Sequence, residues 1–425
     1  MILYRGKIYD TSANDTLLAS LRDDVDDTLL CKTVDREKLI GAIDTIASGI
    51  AEGKYDALIA EFDIDGLEAH VARAAQLLRA ENTAALLKAQ LPALCEQPGV
   101  KRYLMPSGVL FHIAAGNADV LPAYSVLTGL ICGNVNVLKL PSQDNGITVK
   151  ILSELISAMP ELADFIYVFD TPSSDLPSML RMADAADKIV VWGGEEAVAA
   201  VRRFAPPNVG IVEWGHKISF CYVGGDYMNY PDKLEGLARH IISTSQLLCS
   251  SCQRIYVNSD DVYAADRFCR DFLPFLQKAR DEMPLRDIGA AAESSLRRYA
   301  AQIEEAIGGV EKRERVYAGN GCSLTAKDET ELQISGFFGC CDVSALPLSG
   351  LFRVLRQKRG YLQTASIIAD EETAAEAERI MVRAGVVRIT PPEQMSYAFA
   401  AEPHDGEAEL SRYCRIISRY GEDEK

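Results

Sequence analysis

The chain has 425 residues, 48% hydrophobic and 25% charged, with a net charge of −17 at pH 7. That length exceeds what one compact core usually holds, so two or three domains are expected. The acidic balance argues against general nucleic-acid binding, which needs a basic face, but leaves room for an anionic small ligand in a local basic pocket. The first ten residues, MILYRGKIYD, carry charges where a signal peptide has an apolar core. The eleven cysteines are scattered and odd in number, unlike a secreted disulfide framework, so a cytoplasmic location is expected.

Residues 1–95 read as an N-terminal helical segment packing on the region that follows. REKLIGAIDTIASGIA and LEAHVARAAQLLRAENTAALLKAQL space their apolar residues by three and four. Between 96 and 242 the texture changes. GVLFHIAA, NVNVLKL, DFIYVFD and KIVVWGG are short apolar runs separated by helical stretches. Such alternation predicts an α/β fold with a doubly wound parallel sheet, which binds ligands beyond the carboxyl ends of its strands. The long uncharged run Val120–Leu138 is interrupted by Pro122, Gly129, Gly133, Asn134 and Asn136. It reads as a buried helix, a turn and a buried strand rather than a membrane span.

No G-x-G-x-x-G or G-x-x-x-x-G-K-[ST] signature is present. The best phosphate candidate is VVWGGEEAVAAV, where Gly193 and Gly194 follow a strand and open a helix. Amides at that helix start face a pyrophosphate, or the glycines simply make the turn. Residues 243–395 read as a second α/β domain. Its strands are QRIYVNS and GYLQTASIIAD, with helices near 261–279, 293–308 and 371–384. Residues 396–425 end in EAELSRYCRIISRY, read as an amphipathic helix that returns to the first domain or meets another copy.

The stretch TSQLLCSSCQRIYV sets Cys249 and Cys252 three apart. A structural zinc site needs a second Cys or His pair. Cys340 and Cys341 are adjacent, so on a strand their side chains point apart, and the five histidines are scattered. A redox dithiol favours a helix start, whereas this pair follows a helix and precedes a strand. A nucleophilic thiol needs an oxyanion donor and an acid or base nearby. Two small buried residues are the plain alternative.

The distant motifs decide among these readings. PSGVLFHIAAGN at 106–117, GNVNVLKLPS at 133–142 and EWGHKIS at 213–219 precede SQLLCSSCQR, and YLQTAS follows at 361–366. In this order they resemble the aldehyde dehydrogenase superfamily, including the spacing of Cys249 to Arg254. Within it, SQLLCSSCQ, YLQT and PHDG at 403–406 resemble the LuxC type, the fatty acyl-CoA reductases of bacterial luminescence systems.

The resemblance implies an aldehyde dehydrogenase-like fold, with a cofactor domain and a catalytic domain that carries the nucleophile. Cys249 is then the nucleophile and Cys252 a bystander. Asn117 and the Cys249 amide hold the oxyanion, and Glu213 is the acid/base residue. Lys139 contacts the adenosine ribose. Ser142 stands where NAD-preferring members often carry Glu, which leaves room for a 2′-phosphate. Gly193, Gly194, His112 and Ala114 complete the cofactor set, and no metal is implied. The activity implied is NADPH-dependent reduction of a long-chain acyl-CoA or acyl thioester to the aldehyde, with NADH as the alternative cofactor. The rival is an NAD(P)-dependent aldehyde dehydrogenase working in the oxidising direction. Implied partners are an acyl-CoA or acyl-protein donor, an acyl-transferring protein and further copies of the chain. Two departures stand out. His216 interrupts a Gly-Gly, and Gly336 of GFFG replaces the glutamate that holds the nicotinamide ribose. RVLRQKRG at 353–360 reads as a solvated helix face or a site for CoA phosphates.

Overall fold

Predominantly apolar runs such as VLFHI and VNVLK bury every residue, as strands covered on both faces of a parallel sheet require. The architecture is taken from a computed structural model. It describes residues 1–61, 67–94, 97–114, 120–142, 144–285, 288–307, 314–397 and 401–421. Two units emerge, Met1–Gly215 with Ala398–Lys425, and His216–Tyr397.

The first unit opens with β1 (Ile2–Tyr4) and β2 (Lys7–Tyr9), then five helices: α1 (Asn14–Cys31), α2 (Arg36–Ala51), α3 (Asp56–Ala60), α4 (Leu67–Leu77) and α5 (Ala80–Gln90). It continues through β3 (Val100–Pro106), β4 (Val109–Ile113), α6 (Leu121–Ile131), β5 (Val135–Lys139), α7 (Ile147–Ala158) and β6 (Ile166–Phe169). Next come α8 (Leu176–Asp184), β7 (Lys188–Trp192), α9 (Glu195–Phe204) and β8 (Gly210–Trp214). The sheet order is β2-β1-β6-β5-β4-β7-β8, parallel from β6 to β8. Strand order reverses between β4 and β7, the place where such sheets open a ligand crevice. The N-terminal segment is therefore not wholly helical. Arg5 and Gly6, at φ 48° and 73°, make a two-residue hairpin turn, and β1 pairs onto β6. Close helix–strand packing is visible at Gly129 of α6, where a Cβ would lie 1.9 Å from Asn136 Oδ1.

The second unit contains β9 (Ile218–Val223), α10 (Pro231–Ser243), β10 (Cys252–Val257), α11 (Ala264–Glu282), α12 (Ile288–Ile307), β11 (Arg315–Ala318) and β12 (Ser323–Ala326). It ends with β13 (Cys340–Ala345), α13 (Leu348–Arg356), β14 (Leu362–Ile368), α14 (Glu371–Ala384) and β15 (Arg388–Ile389). Its order is β11-β12-β13-β10-β9-β14-β15, parallel except at β11–β12. Because β9 sits between β10 and β14, the division falls at Gly215/His216 and not after 242. Nothing in the run ISFCYV marks which sheet it joins.

The tail also differs from expectation. A four-residue helix, α15 (Glu409–Arg412), is followed by β16 (Cys414–Tyr420), which pairs antiparallel with β3. The β-branched and aromatic residues of RIISRY find a partner strand, and that pairing overrides the helical spacing. Among the described residues, no helix is long and apolar enough to cross a membrane.

Candidate active site

Cys249 lies in the loop between α10 and β10, at the amino-terminal edge of the second sheet, and is exposed. Its carbonyl accepts a 2.7 Å hydrogen bond from Ser219 Oγ on β9. The same Oγ accepts from Thr364 N at 3.0 Å, and Ile218 N donates to Tyr361 O at 2.8 Å. YLQT and the Ile218–Ser219 end of EWGHKIS thus meet behind the cysteine.

The two glutamines flanking Cys249 are scaffolding. Ser245 and Gln246 hold left-handed backbone, at φ 47° and 61°, which an ordinary side chain adopts only under tertiary constraint. Gln246 is fully buried; its Nε2 donates to Cys252 O at 3.0 Å and its Oε1 accepts from Gly339 N at 3.1 Å. Gln253 Nε2 donates to Gln246 O at 2.7 Å, and its Oε1 accepts from the amide and hydroxyl of Ser335. Phe338 N donates to Ser245 O at 2.9 Å. GFFG is therefore the back wall of the loop, with Phe337 and Phe338 also left-handed. A Cβ at Gly336 would lie 2.9 Å from Cys340 Cβ, so no side chain fits there.

Cys252 begins β10 and is fully buried. Its amide donates to His240 Nε2 at 3.1 Å, and its thiol lies against Cys341 on β13. Burial pushes the Cys252 thiol up from its ordinary value. One cysteine of the pair meets solvent and the other is core. Among the described residues no group of three or more His, Cys, Asp or Glu side chains is placed to hold a metal.

In the first unit the candidate cofactor residues follow the carboxyl ends of neighbouring strands. Ala114 follows β4 directly; Asn117 lies outside the described residues. Lys139 ends β5, nearly buried, with Nζ donating to Ser173 Oγ at 2.8 Å. Burial lowers its pKa, opposed by Asp170. Ser142 is exposed just beyond. Gly193 and Gly194 follow β7, and Gly194 caps α9 with open space where its Cβ would be. Glu195 and Glu196 occupy the first turn of that helix and oppose a pyrophosphate by like charge. Glu213, on β8, forms a bidentate ion pair with Arg202 of α9. His216 opens the second unit.

The expected contact of His112 with the cofactor is not what its side chain makes. It is fully buried, with Nδ1 2.7 Å from Ser125 Oγ and Nε2 3.0 Å from Asn136 Oδ1. Trp192 Nε1 donates to the same Ser125 Oγ at 2.9 Å, which leaves that hydroxyl free to donate to Nδ1. Desolvation lowers the His112 pKa to about 4, and burial with the nearby Arg388 cation does the same for His240. Both values lie below that of an unfolded histidine, so the stability they contribute is present above pH 6.5 and fades toward pH 4. We expect each to withdraw about 2 kcal/mol at pH 5. Burial raises the Glu409 pKa and works in the opposite sense. The clean measurement is therefore the difference in urea stability between wild type and His112→Gln from pH 7 to pH 5. An equal slope in both would contradict this assignment.

Some residues carried no local signal. His404 of PHDG stands edge-on to Trp192 and Trp214, both ring centroids at 4.9 Å, and Arg412 lies over Trp214 at 5.0 Å. Glu409 is 1% exposed, inside what reads as a surface helix. Between α2, α4, α6 and α7 lies an open-mouthed apolar cavity, with about 890 Å³ of empty space when the solvent in its mouth is counted. Ile46, Ile50, Val71, Ala123, Leu127 and Ile151 are among its walls.

The family model described as Acyl-CoA reductase (LuxC) matches residues 40–416. Long-chain acyl-protein thioester reductase of Aliivibrio fischeri is 26% identical over 164 residues, 37% of this chain and 33% of that one. Its counterpart in Photobacterium phosphoreum is 25% identical over 186 residues, 43% of this chain and 37% of that one. These alignments thus span about a third of the relatives' own length. Lactaldehyde dehydrogenase from Escherichia coli superposes with a TM-score of 0.68 at 16% identity, covering 97% of this chain and 91% of that one. Betaine aldehyde dehydrogenase from Staphylococcus aureus, in complex with NAD+, gives 0.70 at 15% identity, covering 98% and 88%. The fold is aldehyde dehydrogenase-like, and the chain belongs to the LuxC acyl-CoA reductase family.

Proposed function

We propose that this protein reduces a long-chain acyl thioester to the aldehyde through an acyl-enzyme on Cys249, with NADPH as reductant. One observation carries the reading. Cys249 is exposed on a loop held by buried glutamines, while its neighbour Cys252 is sealed in the core. The Cys249 thiolate attacks the thioester carbonyl, and the Asn117 amide and the Cys249 N–H hold the oxyanion. The donor thiol leaves, and the acyl group stays on Cys249 as a thioester. Bound NADPH supplies the hydride that reduces it, and the resulting thiohemiacetal on Cys249 collapses to aldehyde and free thiol. Lys139 and Ser142 hold the adenosine ribose, and Ser142 brings no carboxylate to repel a 2′-phosphate. Gly194 leaves the start of α9 open, provided that Glu195 and Glu196 turn to solvent.

Glu213 is held at both oxygens by Arg202. A carboxylate so engaged is a poor activator of water, which disfavours the oxidising alternative and suits a group that passes protons when released. The apolar cavity of the first unit takes the alkyl chain. We assign the donor as acyl-CoA or an acyl-protein, the location as cytoplasm, and the assembly as a homo-oligomer. The β3–β16 ribbon exposes Tyr103, Met105, Ile416, Ile417 and Tyr420, which suits contact between copies.

The test is loss of nicotinamide absorbance when purified protein meets a long-chain acyl-CoA, with NADPH and NADH run separately. Cofactor consumption with aldehyde formation is the expected result. Reduction of NAD(P)+ by aldehyde, with no acyl thioester consumed, would establish the oxidising enzyme instead.

A further inference from the structure

The cavity in the first unit is almost wholly aliphatic. Among the described lining residues only Tyr55, Tyr124, Lys150 and Glu154 carry polar side-chain atoms, and Lys150 and Glu154 lie 3.8 Å apart as an ion pair. Tyr124, on the first turn of α6, is unlike the others. Its hydroxyl donates to Glu409 Oε2 at 3.2 Å, and Glu409 comes from the C-terminal segment. Glu409 Oε1 accepts from Thr128 Oγ1 and Tyr413 Oη, each at 3.1 Å. The buried carboxyl thus accepts from three hydroxyl donors.

Placing a carboxylate there costs free energy, and hydroxyl donors recover only part of it. The backbone around it is fixed accordingly. Leu410 N donates to Gln90 Oε1 at 3.1 Å, and Asn134 Nδ2 donates to Tyr413 O at 3.1 Å. The acyl chemistry proposed above does not use Glu409. What it does touch is the one tyrosine that both lines the cavity and is tied at its hydroxyl to the tail.

We infer that Glu409 is a positioning residue that fixes the Tyr124 ring as a wall of the alkyl cavity, and so sets the chain length the enzyme accepts. This rests on the reading that the cavity takes the alkyl part of the substrate. A fixed aromatic wall ends a tunnel sharply. Each methylene that fits contributes about four-fold in affinity, and one that meets the wall contributes nothing.

The experiment measures displacement of a fluorescent polyunsaturated fatty acid by saturated fatty acids of eight to sixteen carbons. It needs no turnover. Tyr124→Ala is expected to move the tightest-binding chain at least two carbons longer. Glu409→Ala is expected to flatten the profile about the wild-type optimum. Glu409→Gln keeps an oxygen to accept from Tyr124, so it should restore the wild-type profile. Thermal melting run beside it shows which variants are folded, and Tyr124→Phe, which keeps the ring, serves if the alanine variants are not. It should flatten the profile as Glu409→Ala does. Affinities scaled by one factor at every length would overturn the inference, since a merely structural anchor acts that way. Wild type that binds these chains but reduces no thioester would sink the proposed activity and leave this inference standing. Wild type that reduces thioesters while binding no fatty acid would do the reverse.

Discussion

Cys249→Ala is expected to abolish acyl-enzyme formation and lower turnover by about a thousand-fold or more, while Cys252→Ala keeps turnover within a few-fold. The asymmetry follows from burial. A thiol reacts as thiolate, and Cys249 meets solvent where a thioester can reach it. Cys252 lies fully buried against Cys341, and its desolvated thiol holds its proton. Losing the Cys252 sulfur should instead cost about 1–2 kcal/mol of stability through a small core void. The measurement is intact mass after mixing with an acyl-CoA without reductant. An added acyl group on wild type and on Cys252→Ala, and none on Cys249→Ala, is the expected pattern. Equal loss in both variants would revive a paired-cysteine function, and an adduct surviving Cys249→Ala would displace the nucleophile altogether.

The same comparison tests the loop. Gln246 and Gln253 reach no reacting atom in the proposed chemistry, yet both lie beside the nucleophile in sequence. Their amides close a circuit through Cys252 O, Gly339 N and Ser335. The loop therefore keeps its shape without a regular element.

What the sequence made legible divides along physical lines. Parallel strands announce themselves because a run buried on both faces is mostly apolar, so β4, β5, β6 and β7 were readable, as were the glycines at the start of α9. The motif spacing singled out Cys249, Glu213 and Lys139, all at strand edges or loops. Long-range pairing was not readable. MILYRGKIYD forms a hairpin on β6, ISFCYV joins the second sheet, and RIISRY becomes a strand because β3 offers it a partner. Local pattern carries no information about a partner a hundred or more residues away. His112 shows a second limit. A histidine on a strand near a ligand-binding edge looks like a contact until burial and two hydrogen bonds show it to be core. Glu409 shows the converse, since a carboxylate in a stretch with Glu407 and Arg412 reads as exposed, and its burial comes from Tyr124, Thr128 and Tyr413 in space.

Arg254→Met is expected to destabilise the second unit by about 3 kcal/mol while leaving turnover per folded molecule near wild type. The five-residue spacing from Cys249 to Arg254 looks like part of the chemistry, but the guanidinium is fully buried within the sheet. Nη1 donates to Glu329 O at 2.8 Å, and Nη2 lies 3.4 Å from Asp342 on the paired strand β13. Removing one member of a buried pair leaves the other desolvated, and this outweighs the modest value of the pair itself. Asp342 keeps Lys327 at 3.0 Å, which is why the expected loss sits at the low end of the range for buried pairs. Urea unfolding of the variant reads the loss directly. Replacing both partners, Arg254→Met with Asp342→Leu, should recover part of it, because no buried charge is then orphaned. A loss below about 1 kcal/mol in the single variant would mean that water reaches the guanidinium after all. Lost turnover in a fully folded Arg254→Met would move Arg254 from the frame of the site into its chemistry.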